Sequence, residues 1–211
     1  SSLTEDGKYL FIADELDGNP ARIWNIEDLE NPFEVAQYSA NLDALVHNPY
    51  IRGNFCFITH NTEGMRVVDI ADPTLPVEVG FYDTFNGPSG GFSGLWSACP
   101  YFPSGKIIGG DRHEGLYVWE FNNTRAGRFY GIAKDSFTNE IILNPEVILV
   151  EKGDTLPVDL LGNFKFGDFE NDYNLVINAP GYVQKTIPVS LTEGENVNME
   201  ILLVPENSDA K

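Results

Sequence analysis

Short apolar runs with a two-residue period, separated by turn-forming residues, recur along the whole chain. The runs at 9–13, 55–59 and 175–178 are rich in β-branched and aromatic residues and are bounded by Gly, Asn or Asp. This pattern is typical of short β-strands. No window combines a 3.6-residue period with helix caps. The sequence therefore predicts an almost entirely β fold.

An internal repeat organises the first half of the chain. Each copy has a glycine-initiated apolar run followed by a second run, and both runs recur at spacings of 44 to 52 residues. The paired runs lie at 7–13 and 22–26, at 53–59 and 66–70, and at 105–111 and 117–121. A repeat of about 40–50 residues with four short strands is typical of a β-propeller blade. In the second copy, the four strands are predicted at 42–51, 54–59, 65–70 and 76–82.

The repeat predicts two blades and most of a third within residues 1–123. The third copy has no counterpart of the fourth strand. Because closed propellers use at least about four blades, we expect this segment to be the C-terminal part of a longer propeller. N-terminal blades of the same protein, or a partner chain, would complete the ring.

The rhythm of strands and turns changes in the second half. Residues 124–206 contain about seven strand-like runs divided by turn pairs such as Asn-Pro, Gly-Asn and Pro-Gly. These features predict a small β-sandwich. Residues 207–211 form a polar tail in this prediction.

Charge and hydropathy narrow the classes of partner. The chain has 13 Lys+Arg against 32 Asp+Glu, for a formal net charge of −19. Long-range repulsion argues against nucleic acid as a partner. No apolar run approaches the roughly 20 residues of a membrane-spanning helix, so we expect no membrane insertion by this segment.

The repeat also places polar residues at equivalent loop positions on one face of the predicted blades. The predicted ligand-binding residues are Asp14, Glu15, His60, Asp83, Asp111, Arg112 and His113. Two interpretations remain open. These residues either form a polar ligand site near the axis, since loops on a rigid scaffold often bind, or they are solvated loop ends and hydrogen bonds between blades.

Other residues carry weaker expectations. Asp14, Asp17 and Asn19 offer oxygen ligands for Ca²⁺, but the segment lacks the pattern of an EF-hand loop and is better explained as an ordinary acidic turn; no other cofactor is predicted. Cys56 and Cys99 either form an interblade disulfide or are separate thiols. We also predict that His47 bonds between blades and that Trp96, within a strand at 92–96, lies in a blade core. Ser93 lacks the spacing of a nucleophile elbow.

Several linked motifs carry a resemblance to a known family. They are His47-Asn48, 64–73 (GMRVVDIADP), 76–84 (PVEVGFYDT), 92–96 (FSGLW), 100–105 (PYFPSG) and 115–118 (GLYV). Together they resemble the LVIVD-repeat propellers of the choice-of-anchor B family. The resemblance implies an exported protein, mostly bacterial, held at the cell surface by an anchor.

The second half resembles a different module. Its motifs are 131–135 (GIAKD), 145–149 (PEVIL), 162–166 (GNFKF), 173–182 (YNLVINAPGY) and 201–205 (ILLVP). They are similar to carboxypeptidase regulatory-like domains, which are transthyretin-like sandwiches without catalytic residues.

The pairing of these two modules implies an extracellular or cell-surface protein. We expect a non-enzymatic protein whose propeller face binds a ligand or protein, with the sandwich as a spacer. Alternatives are a polysaccharide hydrolase or lyase on that face, and a structural subunit of a surface assembly.

Overall fold

The computed structural model describes residues 1–206, and these residues form strands, turns and loops without any helix. The predicted all-β class is confirmed. The chain divides into two compact units, Ser1–Thr124 and Arg125–Lys211. The predicted tail at 207–211 lies outside the described residues. No helix that could span a membrane is found within residues 1–206.

Three antiparallel sheets form the first unit, and each follows chain order. The first sheet contains β1 (Ser2–Leu3), β2 (Tyr9–Ile12), β3 (Ala21–Asn25) and β4 (Phe33–Tyr38). The second contains β5 (Asn48–Arg52), β6 (Phe55–Thr59), β7 (Met65–Asp69) and β8 (Val77–Tyr82). The third contains β9 (Leu95–Cys99), β10 (Ile107–Asp111) and β11 (Gly115–Trp119). The repeated sequence pattern therefore produces repeated sheets.

Two predicted strand starts were wrong. The strand predicted at 42–51 begins at Asn48, and the strand predicted at 92–96 begins at Leu95. The apolar run that suggested the earlier start, Ala44 to Val46, is at most 2% exposed although it lies in a loop. Its burial explains the error, because an apolar run indicates burial and not a particular backbone conformation.

The first two sheets share one core. Phe11, Ile23, Ile58 and Val68 belong to a single buried cluster that also contains Cys56. Burial raises the pKa of the Cys56 thiol. Cys99 is half-buried, and both cysteines are free thiols, so of the two alternatives the structure shows separate thiols and no disulfide.

In the described part of the second unit, residues 125–206, seven strands in two sheets enclose the core. The strands are β12 (Gly127–Asp135), β13 (Glu146–Leu149), β14 (Asp154–Leu156), β15 (Asn163–Asp168), β16 (Asn171–Asn178), β17 (Lys185–Leu191) and β18 (Asn196–Leu203). One sheet has the order β15-β12-β18 and the other β14-β13-β16-β17. All neighbours are antiparallel except β12 and β18, which run parallel over eight paired positions, from Arg128↔Asn196 to Asp135↔Leu203. Phe129, on the central strand β12, is fully buried and packs 6.2 Å from Phe164 and 5.6 Å from Phe166 between ring centroids.

Candidate functional site

Five loops of the first unit meet at one end of its sheets, and we call this end the loop face. They are the hairpin loops 13–20, 60–64 and 112–114 and the connections 39–47 and 83–94. All residues predicted to bind a ligand or Ca²⁺ lie on these loops, apart from Asp111 at the end of β10.

Hydrogen bonds between loops hold the loop face together. The Gly18 amide donates to the Leu42 carbonyl at 2.7 Å, and the Gly90 amide donates to Thr62 Oγ1 at 3.1 Å. Glu63, in loop 60–64, accepts through Oε1 from Asn41 Nδ2 at 3.1 Å in loop 39–47 and from the Ser89 hydroxyl in loop 83–94. The face is therefore a connected surface and not a set of independent loop ends.

His60 is one of the structural ties beneath this face. Its side chain is fully buried, and its Nε2 accepts from the Ala40 amide at 3.3 Å and lies 3.2 Å from Ser39 Oγ. Burial lowers the pKa of His60. A neutral, enclosed imidazole joins two loops but offers no surface to a ligand in this conformation.

Asp111 closes the hairpin between β10 and β11. Its Oδ1 accepts from the amides of His113 (2.8 Å) and Glu114 (3.0 Å), and its Oδ2 accepts from the Thr84 hydroxyl (2.7 Å). Burial raises the pKa of the Asp111 carboxyl, but these hydrogen bonds outweigh burial and hold the pKa below its ordinary value. The carboxylate therefore anchors loop 83–94 to the hairpin.

The Asp111→Asn variant should lose stability in a pH-dependent way. Hydrogen bonds to a buried charge contribute about 1.5–3 kcal/mol, so we expect a loss in that range at pH 7. Because the folded pKa lies below the unfolded value of about 3.9, the carboxylate stabilises the fold above that pH. Its contribution disappears as the pH falls through the folded pKa.

Urea unfolding of both proteins at pH 7 and pH 3 tests this expectation. The difference in unfolding free energy should shrink at pH 3, because below the unfolded pKa the wild-type carboxyl takes up a proton on unfolding. An equal difference at both pH values would contradict the assignment of Asp111 as a charged anchor.

A β-bulge turns Trp96 out of the sheet. Leu95 pairs with Asp111 and Ser97 pairs with Gly110, so Trp96 is the extra residue between two paired positions. Such bulges redirect a side chain. Trp96 is 41% exposed, and its predicted place in a blade core was wrong for this reason.

Trp96 forms the centre of a mixed aromatic and charged group, which we call the Trp96 cluster: Trp96, His47, Arg112, Phe92 and Glu15. The Arg112 guanidinium lies 5.1 Å from the Trp96 ring centroid, and its Nη1 donates to the Phe92 carbonyl at 2.6 Å. The His47 ring lies 4.4 Å from the Trp96 ring, and Glu15 Oε1 lies 3.4 Å from His47 Nε2. Four loops and strand β9 thus converge here.

His47 makes the bond between sheets that the sequence predicted. Its Nδ1 donates to the Trp96 carbonyl at 2.8 Å, which joins the start of the second sheet to the third. The side chain of His47 is 5% exposed, so it supports Trp96 from beneath. His47, Phe92 and Trp96 could not be predicted from the sequence as members of a surface cluster, because nothing in the pattern of residues marks the bulge apart from Gly94.

Asp83 and His113 lie outside the Trp96 cluster. Asp83 is exposed and accepts from the Phe85 amide at 2.9 Å, and the His113 ring packs 5.7 Å from the Phe85 ring. Within residues 1–206, no hydrogen bond or ion pair joins members of the predicted ligand-binding set that come from different loops.

In the proposed calcium loop, one carboxylate oxygen of Asp14 and one of Asp17 accept hydrogen bonds from the protein. Asp14 Oδ2 accepts from Asn19 Nδ2 at 3.4 Å, and Asp17 Oδ1 accepts from the Gly91 amide at 3.2 Å. Over the described part of the chain, no group of three or more His, Cys, Asp or Glu side chains is placed to hold a metal ion. Binding of Ca²⁺ by this loop stays a prediction.

Chemically, the Trp96 cluster is suited to recognition. It offers an exposed indole, a guanidinium already oriented by a carbonyl, and an exposed carboxylate. Aromatic residues and Arg are enriched among residues that dominate binding energy. The loop face therefore has one place where a partner would find both apolar area and fixed polar groups.

Comparison with known proteins adds a family match to this geometry. A family model described as the LVIVD repeat matches residues 48–84. This range spans the second sheet and ends within the connection 83–94 of the loop face. The comparison with curated proteins finds no match.

Among solved structures, the chain is similar to GBS52, the minor pilin of Streptococcus agalactiae. The two chains are 13% identical with a TM-score of 0.31, and the likeness covers 51% of this chain and 63% of the pilin chain. The chain thus spans less than two thirds of that pilin chain. From the family match, the protein is a β-rich chain that contains an LVIVD repeat at residues 48–84.

Proposed function

We propose that the protein is a non-enzymatic, extracellular or cell-surface binding protein that recognises a ligand or protein partner through the loop face. The first unit is a set of propeller blades in this proposal, and further blades complete the ring. Three consecutive meanders and the LVIVD match at 48–84 support the propeller assignment. The second unit is a carboxypeptidase regulatory-like spacer, an assignment supported by its two-sheet core.

The observation that carries the proposal is the exposure of Trp96 at a bulge. A tryptophan that packed into the sheet would contribute to stability, whereas this one is held outward by His47 and covered on one side by Arg112. Bulges that re-aim a side chain are over-represented next to functional sites. A tryptophan of low conformational freedom beside an oriented Arg is suited to contact a partner surface.

A binding screen with matched variants tests the loop face. The full chain is passed over immobilised bacterial polysaccharides and extracellular proteins, alongside Trp96→Ala, Arg112→Ala and the control Tyr101→Ala. Tyr101 is 53% exposed and lies in the β9–β10 connection, at the opposite end of the third sheet.

We expect Trp96→Ala to weaken binding to a panel member by about 30-fold, the effect of a hot spot of about 2 kcal/mol. Arg112→Ala should weaken the same interaction, and Tyr101→Ala should not. Binding that survives both loop-face variants, or a panel without any binding member, would contradict the proposal.

A further inference from the structure

The third sheet lacks the fourth strand that the first two sheets possess. β3 and β7 each lie between two strands, but β11, at the equivalent place, pairs only with β10 within residues 1–206. We propose that β11 binds an extended peptide segment of a partner as a fourth antiparallel strand. This inference does not depend on what the loop face binds.

Register shows which backbone groups of β11 point to the open edge. The Ile26 amide donates to the Lys8 carbonyl and the Ile70 amide to the Asn54 carbonyl, both towards the second strand of their sheets. Along a strand, successive amides point to opposite neighbouring strands. Since the Ile70 amide points to β6, the amides of Asp69, Val67 and Met65 point to β8. The residues at these positions of β11 are Gly115, Tyr117 and Trp119.

The side chains of β11 also leave apolar area beside this edge. Leu116 is 71% exposed and Val118 is 56% exposed, and both lie on one face of the strand. On the other face Tyr117 and Trp119 stack with their ring centroids 5.5 Å apart. An apolar strand with an unpaired edge is a template for strand addition.

The first two sheets reveal the sequence that such a strand needs. β4 reads Phe-Glu-Val-Ala-Gln-Tyr and β8 reads Val-Glu-Val-Gly-Phe-Tyr. The β3–β4 and β7–β8 pairs each contain a register shift at the equivalent place. It lies between Ile23 and Trp24 in β3 and between Val67 and Val68 in β7. The residue paired with Ile23 or Val67 is small, Ala36 or Gly80. Tyr117 occupies this position in β11 and is larger, so the added strand needs a small residue there.

Charge distinguishes the missing strand from β4 and β8. Glu34 lies 3.9 Å from Arg22, and Glu78 lies 3.3 Å from Arg66. In β11, the residue at the position equivalent to these two arginines is Leu116. A glutamate in the added strand would lack its ion-pair partner in a chain of net charge −19. The partner segment therefore has the pattern apolar, uncharged, Val, small, Gln or Phe, Tyr.

Three synthetic peptides based on residues 76–84 test this pattern against the full chain. One has the natural sequence, one carries Glu78→Thr, and one carries Glu78→Thr with Gly80→Leu. Hydrogen–deuterium exchange at the amides of Gly115, Tyr117 and Trp119 reports occupation of the edge.

We expect the Glu78→Thr peptide to protect these three amides. The natural peptide should bind about two- to fivefold more weakly, as a lost cross-strand pair implies, and the Gly80→Leu peptide should give no protection. Equal protection by all three peptides, protection at β4 or β8 instead, or no protection by any peptide would overturn the proposal.

Variants of one residue separate edge pairing from loss of a side chain. Tyr117→Pro removes the edge amide, and Pro blocks pairing at an edge strand; Tyr117→Thr removes the same ring but keeps the amide. Protection of Gly115 and Trp119 should be lost in the first variant and kept in the second. The reverse result contradicts strand addition.

Occupation by another segment has a distinct signature. If these amides are already protected before any peptide is added, the edge is occupied without a partner and the proposal is overturned. A rise with protein concentration would assign the edge to a second copy of the chain, and protection independent of concentration would assign it to the chain's own residues.

Discussion

The Gly94→Ala variant should lose about 4 kcal/mol or more of the unfolding free energy of the first unit. Gly94 has φ +84°, and a Cβ added there would lie 2.3 Å from the backbone oxygen of Asn61. Asn61 is itself in the left-handed region with φ 38° and accepts from the Leu95 amide at 3.0 Å. Neither segment can move away without breaking the bond that joins the hairpin loop 60–64 to β9.

Gly105→Ala is the matched control for this prediction. Gly105 has a similar φ of +77°, but an added Cβ would meet nothing within 4 Å, so only the left-handed strain of about 1 kcal/mol applies. Urea unfolding followed by tryptophan fluorescence measures both variants, because Trp24, Trp96 and Trp119 are the three tryptophans of the chain and lie in the first unit. Equal losses in the two variants would contradict the close approach at Gly94.

The Phe129→Ala variant should destabilise the second unit by about 3–5 kcal/mol, the cost of a cavity left by a buried phenylalanine. Phe129 is fully buried on the central strand β12, with Phe164 and Phe166 beside it. Native-state hydrogen exchange at the amides of β16 reports this loss without relying on tryptophan.

Phe137→Ala makes the same chemical change on the surface of the same unit. Phe137 is 70% exposed, so we expect a loss of less than about 0.5 kcal/mol. If the two variants lowered the protection of β16 to the same degree, the assignment of Phe129 to the core would be wrong.

The periodic part of the fold could be predicted from the sequence because strand alternation and turn residues are local properties. The hairpin β6–β7, with Gly53 before it and Gly64 at its turn, follows from the pattern alone. The burial of Ala44 to Val46 in a loop could not be predicted, because the same apolar run suits a strand. Its loop conformation depends on contacts with residues distant in sequence.

The candidate site was predictable in location but not in composition. Repeat spacing placed Asp14, His60 and Arg112 at equivalent positions, and in the structure all three belong to loops of the loop face. What spacing could not show is that His60 points inward and Trp96 outward. The first depends on the Ala40 amide and the second on a single extra residue at a bulge, and neither leaves a signal in the periodic pattern.

The parallel pairing of β12 with β18 has a mechanical consequence. Within residues 125–206 these are the first and last strands of the second unit, and eight consecutive pairs join them along their length. A pulling force applied to the start of β12 and the end of β18 acts along the strands in opposite directions. It therefore loads the backbone hydrogen bonds between them together in shear and cannot break them one after another from an end. Resistance to tension in this unit is built into the order of its strands.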